Sequence, residues 1–233
     1  MEKVAKGYVI EDSKVKILFT NRTVDAKNSE DVKRICEEYN FNYTDLMYNT
    51  QVHGATVRII KTIDDKENNG EEADGLLTSL KNVPLLIFTA DCVPLVFYDG
   101  EKRVVGLAHA GWRGTYDNIA GEIVEILIKD YKCVKENIKV IIGPSVSGDN
   151  YEVSYELVEK FSVHNIDNYY KKYGEKYYLD LWAINKGLLK CAGILEENIT
   201  VTNFCTVKDN NQFFSYRLDN ATTKRIGTFI QLK

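Results

Sequence analysis

Residues 88–114, FTADCVPLVFYDGEKRVVGLAHAGWRG, contain two short, bulky, apolar runs, 93–98 and 104–108, on either side of Asp99-Gly100. Each run is too short for a useful helix and suits a buried strand, and Asp-Gly is a turn signal, so the stretch predicts a hairpin. An antiparallel hairpin would carry Cys92 at its start and His109 at its end, bringing both to one end of a sheet. Taken alone, Cys92 reads first as a packed core thiol, because free cysteine is among the most buried residue types. His109 alone is no more decisive. The run Ala108-His109-Ala110-Gly111-Trp112-Arg113-Gly114 is not how a core strand ends. Its small residues let backbone crowd a ligand, while Trp112 and Arg113 supply a stacking face and a fixed cation.

Upstream of the hairpin, 8–10 and 15–20 read as strands. Val32, Ile35, Cys36 and Tyr39 recur at helical spacing behind Ser29, a plausible N-cap, which assigns Cys36 to the core. Residues 46–52 and 56–61 predict strands interrupted by His53-Gly54-Ala55, and 84–89 a fully apolar strand whose exit carries Asp91 and Cys92. Downstream, Ile119, Ala120, Ile123, Ile126 and Leu127 predict one helix over 116–130, starting directly after Trp112-Arg113-Gly114-Thr115 with an N-terminus suited to an anion. A strand at 138–142 empties into the Gly- and Ser-rich loop 143–148, which makes Ser145 a substrate-binding candidate. Helices at 154–161 and 181–192 and strands at 199–202, 212–217 and 226–232 follow, and His164 reads as a solvated surface histidine. Strands at both ends with helices between them predict an α+β fold with mixed β-sheets. The polar loop 64–72 is too short to divide the chain, so residues 1–233 are expected to form one domain.

With 233 residues, a net charge of −4 and scattered lysines, the chain offers no basic groove for nucleic acid, and small-molecule partners are expected. No apolar run reaches spanning length and the start lacks an apolar signal core, which predicts a cytoplasmic protein with no membrane partner. Five cysteines without a CxxC pair read as reduced thiols. Nothing in the sequence specifies an oligomeric state.

Two of the three histidines, together with Cys92, lie at ends of strand-like runs beside glycines. Imidazole, thiolate, imidazole is a zinc ligand set, and three protein ligands leave the open fourth position of a catalytic site. The separations within His53, Cys92 and His109 match no local zinc motif. Two rival readings therefore stay open. Cys92 and His109 would serve as nucleophile and base of an acyl-transfer hydrolase, leaving His53 without a task. Alternatively, the trio would be the His₂Cys set of a copper redox protein with Met47 as axial ligand. Within the zinc reading, Arg113 is the phosphate clamp, Asp91 orients a ligand histidine or serves as acid/base, and Gln51 binds the base.

The motifs TQVHGATV (50–57), ADGLLTS (73–79), TADCVPLVFYD (89–99), AHAGWRGT (108–115) and IGPSVSGDNYEV (142–153), in this order, resemble the laccase-domain proteins. These proteins are also called multicopper polyphenol oxidase-like and are described as purine nucleoside phosphorylases. The resemblance covers nearly the whole chain. It implies a layered α/β/β/α fold and a zinc held by His53, Cys92 and His109, with copper as a possible substitute. It also implies purine nucleosides and phosphate as partners, with phosphorolysis of adenosine, inosine and methylthioadenosine and deamination of adenosine. The family's C-terminal SYRRD reads Ser215-Tyr216-Arg217-Leu218-Asp219 here and its TGR reads Thr223-Lys224-Arg225, so Arg217 and Arg225 remain as binding candidates beside two departures, Leu218 and Lys224.

Overall fold

The computed structural model describes residues 1–233. Val93–Asp99 and Val104–Ala110 pair antiparallel, with Val93 opposite Ala110 and Pro94 opposite His109. Every residue of Val104–Ala110 is buried, because both faces of this hairpin are covered, which explains why its strands read as continuous apolar runs. The hairpin lies at the centre of a six-stranded sheet in the order Ile199–Val201, Ile138–Ile142, Val93–Asp99, Val104–Ala110, Gly75–Thr78, Val57–Ile60. The two outermost pairs are parallel and the inner ones antiparallel. One face packs Leu95, Phe97 and Val104 against helices Ile119–Lys129 and Leu181–Cys191.

The other face meets a second six-stranded sheet, ordered Glu2–Val4, Gly7–Glu11, Val15–Thr20, Ile226–Leu232, Leu85–Thr89, Met47–Tyr48. Val96, Val105 and Leu107 interdigitate there with Ile17, Phe19, Ile87 and Ile230. Helix Ser29–Glu38 covers the far side of the second sheet, laying Val32, Ile35 and Cys36 on Leu18, Leu86 and Phe229. The layers are therefore helix, sheet, sheet, helix, as expected for a mixed-sheet α+β chain.

Several elements depart from the sequence expectation. Ser29 is not the N-cap: Asn28 precedes the helix with extended backbone, and its side chain accepts from the amides of Glu30 and Asp31. Asn28→Ala should therefore destabilise the protein by about 1 kcal/mol in denaturant titration while Ser29→Ala changes it far less, because only the former removes an acceptor from orphan helix amides. The strand expected at 46–52 shrinks to Met47–Tyr48, because side chains replace the ladder beyond it. There Asn49 donates to the Gly75 carbonyl, and the Gln51 amide exchanges two hydrogen bonds of 2.7 Å with the backbone of Phe88.

The helix expected over 116–130 is Ile119–Lys129, and a separate short helix precedes it. Trp112–Tyr116 ends before Asn118, whose left-handed backbone (φ 59°) turns the chain and whose side chain caps Ile119–Lys129 at Gly121. Residues 212–217 form turns, since carboxylates take the amides a strand would offer: Asp219 accepts from Ser215 N and Asp91 from Arg217 N. A small sheet of Glu152–Val153, Lys176–Leu179 and Tyr170–Tyr173 occupies what read as a polar connection. His164 is only partly solvated: its ring lies beside Tyr116 and Phe161, and its Nε2 is buried without a partner.

Candidate metal centre

Three elements deliver the ligand set to one point. His109 is the penultimate residue of Val104–Ala110, Cys92 directly precedes Val93–Asp99, and His53 lies in the loop between Met47–Tyr48 and Val57–Ile60. Their donor atoms all lie within 4.8 Å of one another. The two imidazoles meet edge to face, with ring centroids 4.7 Å apart and an interplanar angle of 75°. Gly111 makes room for this approach: a methyl group there would lie 3.1 Å from both Cys92 Sγ and His53 Cδ2.

Asp74, a residue to which the sequence reading gave no task, holds the site together. It is buried, and its Oδ1 pairs with His109 Nδ1 at 2.7 Å. The same carboxylate accepts from the backbone amides of Val52, His53 and Gly54 at 3.2, 3.0 and 2.7 Å. These bonds maintain His53 in a left-handed conformation (φ 63°), which a non-glycine residue adopts only when its surroundings compensate. Burial opposes ionisation of Asp74, yet the hydrogen bond from His109 and the amide of Gly54 hold its carboxyl below the usual range. With Nδ1–H donated to Asp74, the Nε2 of His109 faces the cluster, the outer-shell arrangement common behind ligand histidines.

The charges are mutually tuned. Burial raises the Cys92 thiol, but the charge of His109 and hydrogen bonds from His109 and His53 bring it down to about 6. Burial opposes protonation of His109, and the Cys92 and Asp74 charges more than offset this, lifting it to about 9. Cys36 shows the contrast, since burial without cationic neighbours pushes that thiol up to about 12. The trio thus pairs a ready thiolate with two imidazoles, one of them oriented by a carboxylate. This donor set fits a first-row metal with a tetrahedral preference.

Two cavities meet at the cluster, and His53, Cys92 and Tyr216 belong to the walls of both. The larger, about 640 Å³, is lined by Trp112, Tyr151 and Tyr216 together with Asp91, Arg113 and Arg217. The smaller, about 500 Å³, is lined by Lys27, Gln51, Phe88, Thr89, His109 and Arg225 among others.

Of the sequence candidates, Asp91, Arg113 and Arg217 share the larger cavity, while Gln51 and Arg225 lie on the smaller. Arg113 is inside the short helix rather than ahead of a long one, with its guanidinium stacked on Trp112 at 4.3 Å. Arg217 stacks on Tyr151 at 4.9 Å and donates to the Glu152 carbonyl. Asp91 does not orient a ligand histidine; its oxygens accept from Thr206 Oγ1 and Arg217 N at 2.6 and 2.7 Å. Both ends of the Gln51 amide are occupied by Phe88. Ser145 is fully buried, donates to the Gly143 carbonyl and accepts from Trp182 Nε1, and it lines neither cavity. Met47 likewise lies in the core between the sheets, on neither cavity wall.

The profile of the multi-copper polyphenol oxidoreductase laccase family matches residues 20–233. The chain belongs to this family. It is 32% identical over 231 residues to a protein of Bacillus subtilis named purine nucleoside phosphorylase YlmD, covering 93% of this chain and 82% of that one. A purine nucleoside phosphorylase of Staphylococcus epidermidis is 38% identical over 163 residues, 69% of this chain and 60% of the relative, so the match spans less than two thirds of that protein. Among solved structures, YlmD from Geobacillus stearothermophilus superposes with a TM-score of 0.91 at 26% identity, covering 100% of this chain and 98% of that one. The YfiH protein of Bacillus licheniformis gives 0.87 at 26% identity, over 94% and 93%. The several copper centres of the family name have no ligands here, because three histidines in the whole chain cannot furnish their imidazoles.

Proposed function

We propose that the protein is a zinc-dependent purine nucleoside phosphorylase acting on adenosine, inosine and methylthioadenosine, with adenosine deamination as a second activity. One observation carries this reading: a His53–Cys92–His109 cluster, braced by Asp74, stands where two cavities meet, one aromatic and one cationic. The names of the bacillary and staphylococcal relatives support it. In the reaction, an oxygen of HPO₄²⁻ forms a bond to the ribose C1′ while the C1′–N9 bond breaks with its electron pair moving to the purine. The proton that phosphate gives up ends on the released base.

The aromatic faces of Trp112, Tyr151 and Tyr216 suit a purine, and the arginines stacked on two of them extend those faces. Asp91 is the ionisable carboxylate of that wall and our candidate for proton movement in deamination. Zinc, when held by His53, Cys92 and His109, would polarise an oxygen or a ring nitrogen as a Lewis acid. Five free cysteines and the absence of any helix long and apolar enough to cross a membrane fit the cytoplasmic placement we propose.

A second reading rests on a separate observation. Cys92, His109 and Asp74 stand in the order nucleophile, base and orienting carboxylate, as a cysteine hydrolase requires. The copper redox reading loses its axial ligand with the burial of Met47 in the core. Product analysis decides between the two that remain. Adenosine with phosphate should yield adenine and ribose 1-phosphate, phosphate omission should abolish both, and any inosine reports deamination. Activity that survives chelation and dies on alkylation of Cys92 would favour the hydrolase, and no phosphate-dependent product at all would refute the phosphorylase.

A further inference from the structure

The two cavities differ in the carboxylate that one wall has and the other lacks. In the larger, both arginines are stacked on aromatic rings and Asp91 contributes a negative charge. In the smaller, Lys27 and Arg225 face one space and no carboxylate lines the wall. They are brought to one rim by Asp25, whose Oδ1 accepts from the backbone amides of both residues at 3.0 and 3.1 Å. Burial and then the charge of Arg225 lower the pKa of the Lys27 ammonium, which lies 3.8 Å from the centre of the Phe88 ring. The Arg225 Nη1 donates to the carbonyls of Thr222 and Lys224, which fixes the guanidinium and leaves its remaining N–H groups free to bind an acceptor.

Two cations on one wall supply what a tetrahedral oxyanion needs, charge and a fork of donors, and a metal held by His53, Cys92 and His109 would offset the Cys92 thiolate that shares the wall.

We propose that inorganic phosphate binds in the smaller cavity between Lys27 and Arg225, while the purine occupies the larger cavity on the other side of the cluster. Phosphate as the substrate rests on the phosphorylase reading; the anion site itself does not. The division would leave Arg113 to the base and bring phosphate to the cluster from the side on which His109 lies.

The test is calorimetric titration of the metal-loaded protein with inorganic phosphate at constant ionic strength, for wild type, Lys27→Gln, Arg225→Gln and Arg113→Gln. Circular dichroism and metal content provide a check on each fold. Each cation removed should weaken phosphate about ten- to a hundredfold. Arg113→Gln should leave phosphate affinity unchanged and raise KM for the nucleoside instead. Failure of wild type to bind phosphate at millimolar concentration, unchanged affinity in the folded Lys27 and Arg225 variants, or loss confined to Arg113→Gln would each overturn the assignment. The two readings separate cleanly. Phosphate binding of this pattern with no ribose 1-phosphate formed leaves the site standing and removes the phosphorylase. Phosphorolysis whose KM for phosphate ignores Lys27 and Arg225 does the reverse.

Discussion

A Cys92→Ala protein purified without added metal should contain about a tenth or less of the wild-type metal and show no measurable phosphate-dependent product. Cys92 supplies the one anionic donor of the three, so its loss removes a ligand and the charge that balances the cation. The effect should exceed the roughly 10–100-fold loss of affinity typical of removing an outer-shell partner. Cys92→Ser keeps the side-chain shape and substitutes a neutral hydroxyl, so metal should stay low there too; wild-type metal content in both variants would remove Cys92 from the ligand set. The charges add a pH signature. With Cys92 at about 6 and His109 at about 9, the metal-free pair between those values is a thiolate facing an imidazolium. Metal entry must then expel one proton from His109, so affinity should climb about tenfold per pH unit across that window and level off above it. Below the window Cys92 must also lose a proton and the slope should steepen. Chelator competition across pH reads this directly.

The parts of the molecule legible in its sequence are those where burial dictates residue type. The hairpin is readable because a strand covered on both faces must be apolar at every position, and the two outer helix layers because their periodic stripes face a sheet. His53, Cys92 and His109 stand out together, inside motifs that resemble those of a known family, whereas each taken singly fits a core as well. What could not be read depends on side chains standing in for backbone. Gln51 completes a sheet edge at Phe88, Asp219 and Asp91 turn 212–217 away from a strand, and Asn118 caps the long helix at Ile119, apart from the short helix Trp112–Tyr116 before it. Locally these residues look like ordinary polar positions. Tyr216 sits in a stretch that reads as a strand, so nothing marked it as a wall shared by two cavities. Asp74 was hidden for a related reason: its Ala-Asp-Gly setting reads as a turn, and its partners lie about 20 and 35 residues away on either side.

That residue carries the other large expected effect. One carboxylate of Asp74 receives four donors, His109 Nδ1 and the amides of residues 52–54, and so couples the orientation of one ligand imidazole to the position of the loop bearing the other. Asp74→Asn keeps the shape but offers a single acceptor oxygen and turns an NH₂ toward groups that themselves donate. Metal affinity should fall about 10–100-fold, since His109 loses its oriented tautomer and His53 the support for its left-handed backbone. Asp74→Ala should also lower stability, by about 3–5 kcal/mol if the full cost of breaking a buried charged pair is felt. The loop around His53 is partly exposed, so water can satisfy its freed amides, and most of that cost falls on the buried His109. Thermal unfolding of metal-free protein separates the two roles from metal binding. The stability loss should appear without metal, whereas the affinity loss appears in chelator competition on protein that is still folded. An Asp74→Asn protein that binds metal as tightly as wild type, with the His109 tautomer unchanged by ¹⁵N NMR, would remove Asp74 from the support of the centre and leave its carboxylate as a loop fastener alone.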